Sequence, residues 1–112
     1  MTSNICQSLL NKVWRSYAYD LDKVPEAEGI YAIGDKDGTV LYVGHSKHIQ
    51  RRLRQHKSGQ LDIDKFVKQQ FAAANGGRKL GIKWVENPNH KCVEGEYLVC
   101  IEEKLGYRPP FN

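Results

Sequence analysis

Two tyrosines and a run of basic residues lie close together in the first half of the chain, in types and at spacings that could bind a phosphate group. Tyr31 and Tyr42 lie in two short apolar segments, 29–33 and 40–43, which are separated by the turn residues 35–38. Apolar segments on either side of Asp and Gly favour a β-hairpin. Two neighbouring phenol hydroxyls beside a cationic helix would be well placed to hold a phosphate.

The register of this hairpin decides how the two tyrosines meet. If the loop is centred on Lys36 and Asp37, Tyr31 lies directly opposite Tyr42 on one face of the sheet. A loop centred one residue later pairs Tyr31 with Gly44 instead. The first register is the one assumed here, and the second stays open as its alternative.

The segment 46–57 is predicted to form a helix that carries the positive excess of the whole chain. Five of the 17 Lys and Arg residues lie between His45 and Lys57, without an acid, so the other 12 are outnumbered by 13 Asp and Glu residues. Ile49 and Leu53 can anchor this helix to the sheet, and an adjacent face carries His45, His48, Arg52 and His56. Such a charge distribution is typical of nucleic-acid or phosphate binding, although a solvated helix face is the commoner origin of a charge run.

A carboxylate occupies an unusual place in the predicted last helix, 90–105. Glu94 falls within its apolar side, because Tyr97, Leu98 and Ile101 follow it by three, four and seven residues. A carboxylate on a packing face is costly unless it has a charged partner or a metal ion. The alternative is an acid in the first turn that the helix dipole favours. A single carboxylate can bind Mg²⁺ when water and a substrate phosphate complete the shell.

The elements that must position these residues follow in the order helix, strand, strand, helix, helix, strand, helix. An amphipathic helix is predicted over 4–19, a further helix over 63–75 and a third strand over 79–85. We therefore expect one domain over 1–112, with residues 1–23 an additional N-terminal helix. Its fold class is α/β, a small sandwich with a central three-stranded, largely antiparallel sheet flanked by helices.

The three cysteines, Cys6, Cys92 and Cys100, form no CxxC pair, and their odd number indicates neither a disulfide framework nor a zinc ribbon. Reduced thiols in a cytoplasmic or nuclear compartment are therefore expected. The sequence shows no signal peptide, so we expect a protein that is not secreted. It also has no apolar run long enough for a membrane span.

The motifs together resemble the GIY-YIG nuclease superfamily. GIY at 29–31 is followed after ten residues by YVG at 42–44, and Arg52 comes eight residues after Gly44. VEGEYL at 93–98 is similar to the family's glutamate-bearing helix, and the chain ends in a family-like PPFN. The resemblance extends over about residues 24–112. It implies the GIY-YIG endonuclease fold and a divalent-metal-dependent DNA endonuclease, as in excision-repair incision domains, homing endonucleases, some restriction enzymes and junction resolvases.

The resemblance also implies roles for single residues. Carried over position by position, the catalytic set is Tyr31, Tyr42, Arg52, His56, Glu94 and Asn112, with Glu94 as the metal ligand and Glu96 as the alternative. His45 stands where excision-repair members have a lysine, and a proton shared with the substrate phosphate could restore the charge there. The cofactor is expected to be Mg²⁺ or Mn²⁺. The partner is expected to be DNA, with phosphate contacts from Lys47, Arg51, Arg54 and Lys57.

The chemistry implied is hydrolysis of a phosphodiester. Arg52 could hold the phosphate through two parallel N–H bonds, and Tyr31 could orient or deprotonate the attacking water. A phenol would need a nearby cation to lower its pKa for that task, and His56 could position Tyr31 or relay its proton. We expect low or structure-directed specificity, in DNA repair, recombination, or mobile-element or phage biology. The alternatives are an inactive nucleic-acid-binding domain on the same fold and a basic interaction domain. Oligomeric state stays open.

Overall fold

The computed structural model describes residues 5–73, 79–88 and 90–112, and within the last range it describes side chains from residue 95 onward. Its helices are α1 (Gln7–Leu10), α2 (Tyr17–Asp20), α3 (Ile49–Gln55), α4 (Asp62–Ala72) and α5 (His90–Leu105), and a 3₁₀ turn covers Leu21–Lys23. None of the helices in these ranges is long and apolar enough to cross a membrane.

The described residues include four strands, β1 (Arg15–Ser16), β2 (Gly29–Gly34), β3 (Val40–Ser46) and β4 (Gly81–Glu86). They form one antiparallel sheet in the order β1-β4-β2-β3. The predicted α/β class, an antiparallel sheet flanked by helices, is confirmed, and the predicted strand number is one too low. Every residue of β2 is buried, because this strand is paired on both edges and covered on both faces.

The turn between β2 and β3 sets a different register from the one assumed. Asp35 Oδ1 accepts bonds from the N–H groups of Asp37 and Thr39, at 2.9 and 3.0 Å. Gly38 has a φ of 83°, which fits a turn ending in a left-handed residue. A further register shift follows between Ile33 and Gly34.

Tyr31 consequently pairs with Gly44, and Tyr42 pairs with Ile33. The assumed pairing of Tyr31 with Tyr42 is wrong, and the alternative register is the one observed. The two tyrosines still share a face of the sheet, because Tyr42 lies two residues from the partner of Tyr31.

Residues 5–23 do not form the predicted single helix. Two four-residue helices, α1 and α2, are separated by β1, whose Arg15 pairs with Ile82. Ser16 ends β1 and caps α2, because its hydroxyl accepts a bond from the N–H of Tyr19 at 3.1 Å. The apolar periodicity was a misleading signal here, since Tyr17 is buried on one face of the sheet and Leu9 on the other.

A disulfide joins Cys6 to Cys100 and ties the N-terminal segment to α5. The expectation of reduced thiols is therefore wrong for these two residues, which lie 94 positions apart in the chain. Such a separation carries no recognisable spacing motif. The side chain of Cys92 lies outside the described residues.

Helices cover both faces of the sheet, and the sheet divides the hydrophobic core into two clusters. One face carries Tyr31 and packs against α3 and α4 through a cluster that includes Ile49, Leu53 and Val67. The other face, with Ile30 and Ala32 from β2, packs against α5 through Tyr97 and Ile101. The candidate tyrosines and the basic helix therefore lie on the same side of the sheet.

Candidate active site

Tyr31 and Tyr42 are neighbours on the sheet face that α3 covers. Their ring centroids are 6.3 Å apart, and their ring planes are tilted by 45° to each other. Gly44 lies between them, since a Cβ built there would be 2.5 Å from the Tyr31 hydroxyl and 2.9 Å from Cε2 of Tyr42. The absence of a side chain at Gly44 is what lets the Tyr31 phenol lie across β3.

His56 follows α3 and contacts the Tyr31 hydroxyl directly. The distance from Tyr31 Oη to His56 Nε2 is 2.6 Å, and both residues are fully buried. Ile49 and Leu53, which are also fully buried, fix α3 against the sheet as the sequence predicted. His56 also packs edge-on against the Tyr42 ring, with centroids 5.4 Å apart.

Behind His56 lies Asp64, which the sequence analysis did not single out. His56 Nδ1 is hydrogen-bonded to Asp64 Oδ1, and Asp64 Oδ2 accepts the N–H of Leu61 at 3.0 Å. Asp64 is only 2% exposed. Its position at the start of α4 gave no clue to this contact, because acids are common in the first turn of helices.

Burial dominates the electrostatics of Tyr31. It raises the pKa of the phenol well above its usual value, and the neighbouring Tyr42 adds to the increase. Arg52 acts in the opposite direction, through its charge and through a hydrogen bond to Tyr31. The cation that the sequence analysis required is therefore present, but the low-polarity surroundings outweigh it, and the phenol is neutral at neutral pH.

Burial also lowers the pKa of His56 below its usual value, and the positive charge of Arg52 adds to this decrease. The hydrogen bond and the charge of Asp64 act against the decrease but do not overcome it. The imidazole is consequently neutral at neutral pH. One of its ring nitrogens then carries a proton and the other carries a lone pair.

Arg52 lies on α3 at the edge of this buried pair and is half-buried. Its guanidinium lies near enough to the Tyr31 phenol to act on its pKa, and Nη1 donates to Gln55 Oε1 at 3.3 Å. A guanidinium has five N–H donors in a planar fork. Arg52 can therefore act on Tyr31 and still present donors to a bound phosphate.

Asn112 ties the end of the chain to the strand that carries Tyr42. Its side-chain Oδ1 accepts the N–H of Val43 and its Nδ2 donates to the carbonyl of Val43, both at 2.8 Å. The N–H of Phe111 donates to the carbonyl of Leu41 at 3.0 Å. The tail thus covers the outer edge of β3 next to Tyr42 and Gly44.

The other basic candidates have varied surroundings. Lys47 and Arg51 are exposed, and His45 is partly exposed near the end of β3. Arg54 forms an exposed ion pair with Asp22, and the Lys57 ammonium lies 4.8 Å from the centre of the Phe71 ring. Two of the four predicted DNA contacts therefore already have partners within the protein.

The predicted metal site depends on Glu94 or on its alternative Glu96, both of which belong to α5. Glu94 belongs to α5, but its side chain lies outside the described residues, so its role as a ligand stays a prediction. Glu96 is exposed. Among the described residues, no group of three or more His, Cys, Asp and Glu could surround a cation. A one-carboxylate donor set fits Mg²⁺, which keeps several waters and takes phosphate oxygens as ligands.

Comparison with known families supports the resemblance seen in the motifs. The model of the GIY-YIG catalytic domain matches residues 27–98. This range contains both tyrosines, Arg52, His56 and Glu94. The N-terminal segment with α1 and β1 lies outside the match, and so does the tail that ends in Asn112.

Among curated relatives, UvrABC system protein C of Methanothermobacter thermautotrophicus is 28% identical over 96 residues, which is 83% of this chain and 14% of that protein. The protein of the same name from Streptococcus uberis is 39% identical over 44 residues, 39% of this chain and 7% of that protein. This chain thus spans a small part of the length of the curated relatives it matches.

Among solved structures, the N-terminal GIY-YIG endonuclease domain of UvrC from Thermotoga maritima, bound to its catalytic divalent cation magnesium, superimposes with a TM-score of 0.56. The sequences are 23% identical, and the match covers 86% of this chain and 94% of that domain. The likeness shows a shared fold.

Proposed function

Because this chain belongs to the GIY-YIG family, we propose that it is a divalent-metal-dependent DNA endonuclease that hydrolyses phosphodiester bonds. The observation that carries the proposal is the buried hydrogen bond between Tyr31 and His56, with the Arg52 guanidinium on the same phenol. A tyrosine held in this way has a partner for its proton and a cation beside its oxygen. Cross-strand packing alone would require neither.

The role of Tyr31 follows from its protonation state. Because the buried phenol is neutral, it cannot act as a phenolate that waits for substrate. It can take a proton from the attacking water only while its own proton moves to His56 Nε2, 2.6 Å away. The proton then resides on the imidazole, and the oxygen of the former water bonds to phosphorus as the bond to the leaving oxygen breaks.

Arg52 is assigned to the scissile phosphate. Its planar fork suits two phosphate oxygens at once, which an ammonium group cannot match. Holding the phosphate next to the Tyr31 hydroxyl would place the water in line for attack. Tyr42 lies beside Tyr31 and is proposed to hydrogen-bond the same water or the phosphate.

Glu94 is proposed to hold the cation, as Mg²⁺ or Mn²⁺, and Glu96 is its alternative. When bound, the cation would stabilise negative charge on the phosphate and on the departing oxygen. The magnesium bound to the similar UvrC domain supports a divalent cation as the cofactor. Glu96 is exposed, which favours Glu94.

DNA binding on either side of the cleaved bond is assigned to Lys47, which precedes α3, and to Arg51 in α3, both of which are exposed. Arg54 can contribute only by leaving its ion pair with Asp22. Phosphate contacts of this kind carry no sequence information. Low or structure-directed specificity is therefore part of the proposal. Work in DNA repair is also proposed, on the support of relatives named UvrABC system protein C.

Nicking of a supercoiled plasmid tests this function. We expect the wild-type chain to convert it to the open circle with Mg²⁺ or Mn²⁺ and to stop when EDTA removes the metal. Glu94→Ala is expected to abolish nicking, while the matched variant Glu96→Ala keeps it. Absence of cleavage of plasmid, branched and damaged duplexes with both metals would overturn the proposal in favour of a nucleic-acid-binding domain.

A further inference from the structure

Three buried side chains form one continuous hydrogen-bonded line, from the sheet to α4. Tyr31 and His56 are 0% exposed and Asp64 is 2% exposed. Tyr31 Oη contacts His56 Nε2 at 2.6 Å, and His56 Nδ1 contacts Asp64 Oδ1. The second carboxylate oxygen of Asp64 accepts the Leu61 N–H at 3.0 Å. Each polar atom along the line therefore has a partner.

The end of this line determines where the imidazole proton lies. A carboxylate can only accept hydrogen bonds, so His56 Nδ1 must carry the proton that it shares with Asp64. In the neutral ring, Nε2 then has a lone pair and Tyr31 must be the donor. Without Asp64, either tautomer would be available, and a proton on Nε2 would prevent Nε2 from accepting one from Tyr31.

A helix-capping role alone does not explain this arrangement. Capping α4 requires only that Asp64 Oδ2 meets the Leu61 N–H, and Asp62, exposed in the same turn, also supplies a charge to the helix dipole. Burying the carboxylate against an imidazole goes further, and it is costly unless the pairing is good. The loop before α4 also packs on this carboxylate, because a Cβ at Gly59 would lie 2.0 Å from Asp64 Oδ2.

We propose that Asp64 is a positioning residue of the active site, which holds His56 as the Nδ1-protonated tautomer so that Nε2 can receive the Tyr31 proton. This inference rests on the proposed function. As the water gives its proton to the Tyr31 oxygen, the phenolic proton moves to His56 Nε2, and the resulting imidazolium is paired with the Asp64 carboxylate. One proton is transferred in total, from water to His56, and no electrons are exchanged.

The variant Asp64→Asn isolates this role. His56 Nδ1 contacts Asp64 Oδ1 and the Leu61 N–H contacts Oδ2, and Asn replaces one of these two acceptor oxygens by an NH₂ donor. If the oxygen stays with Leu61, the amide donates to His56 Nδ1 and moves the ring proton to Nε2. The matched control is Asp62→Asn, which removes an acid from the same helical turn without touching His56.

Two readouts distinguish positioning from simple support of the fold. A long-range proton–nitrogen correlation spectrum of the free protein reports the tautomer of His56, with His56→Gln providing the assignment. We expect the Nδ1–H form in the wild type and in Asp62→Asn, and the Nε2–H form in Asp64→Asn. We also expect the rate of plasmid nicking by Asp64→Asn to fall roughly 100-fold, the usual minimum for lost proton transfer, with DNA affinity retained.

Several outcomes would overturn the inference. An Nε2–H tautomer in the wild type would do so even if Asp64→Asn does not fold, and so would full nicking activity in a folded Asp64→Asn protein. The proposed function fails separately, through absence of nicking by the wild type. In that case the spectrum still decides whether Asp64 sets the tautomer.

Discussion

Tyr31 pairs with Gly44 across β2 and β3, and its hydroxyl lies 2.5 Å from the point where a side chain at Gly44 would begin. This pairing explains why the second sequence motif ends in glycine. The Tyr31 phenol extends over the bare backbone of β3 and reaches His56 on the far side. The hairpin therefore positions a buried hydroxyl rather than two exposed ones.

Gly44→Ala should disrupt the site without removing any functional group. The new methyl would collide with Tyr31 and Tyr42, so we expect a loss of about 1–3 kcal/mol of unfolding free energy and a large loss of nicking. Gly95→Ala in α5 is the control, because no neighbouring atom of the described residues lies within 4 Å of its Cβ. It should raise stability by about 0.5–1 kcal/mol. Urea denaturation of both variants measures this, and equal stabilities would contradict the packing described for Gly44.

Arg52→Ala should lower the maximal cleavage rate, since the guanidinium acts against the increase in the pKa of Tyr31 and is assigned to the phosphate. We expect a decrease of roughly 100- to 1,000-fold, as for loss of one donor to a reacting centre, and Arg52→Lys should recover little of it. Arg51→Ala, at the exposed neighbouring position, should instead weaken DNA binding. It should also make the DNA affinity less dependent on salt concentration than in the wild type. Single-turnover rates at saturating protein separate the two effects. Equal maximal rates for Arg51→Ala and Arg52→Ala would contradict the assignment.

Asn112→Ala should release the tail from β3. The variant loses both bonds to the backbone of Val43, which costs about 1–3 kcal/mol of unfolding free energy. Amide hydrogen exchange should show faster exchange at Val43, while the Ile30 amide in the centre of the sheet stays protected. Unchanged exchange at Val43 would show that the tail does not hold this strand.

His56 should make the fold sensitive to acid. Burial lowers the pKa of its imidazole in the folded protein, so the unfolded chain, with an ordinary value near 6.5, binds more protons between the two values. His56 therefore leaves the free energy of unfolding unchanged above about pH 6.5. As the pH falls from there toward the pKa of the folded state, it lowers the free energy of unfolding increasingly. Urea denaturation between about pH 7.5 and about pH 5.5 measures this. The exposed-residue variant His48→Gln should show the same decline, and constant wild-type stability would refute the prediction.

Features written in local sequence were predicted well. The apolar residues Ile49 and Leu53 placed α3 against the sheet, and the last helix was predicted over 90–105, which agrees with α5. The motifs at 29–31 and 42–44 identified the hairpin strands β2 and β3 and the tyrosines. Each of these signals lies within a few residues of the element it predicts.

Features that depend on tertiary contacts were missed. Asp64 looks like an ordinary first-turn acid, and its contact with His56, eight residues earlier, depends on the conformation of the loop between α3 and α4. The Cys6–Cys100 disulfide and the pairing of Arg15 with Ile82 join segments far apart in the chain. The hairpin register was missed for a different reason, since a bulge between Ile33 and Gly34 shifts the pairing without a distinct sequence signal.

The most direct test of the account is plasmid nicking by Tyr31→Phe, because this change removes one hydroxyl from a buried ring and keeps its packing. With Mg²⁺, and with folding and DNA affinity shown to equal those of the wild type, we expect nicking to fall by roughly 100-fold or more. Tyr107→Phe is the control and should retain nicking. It also loses a single hydroxyl, but this hydroxyl lies on the tail, far from His56 in sequence, and accepts the N–H of Val40. Full activity of Tyr31→Phe would contradict the claim that the Tyr31 hydroxyl carries the proton from water to His56.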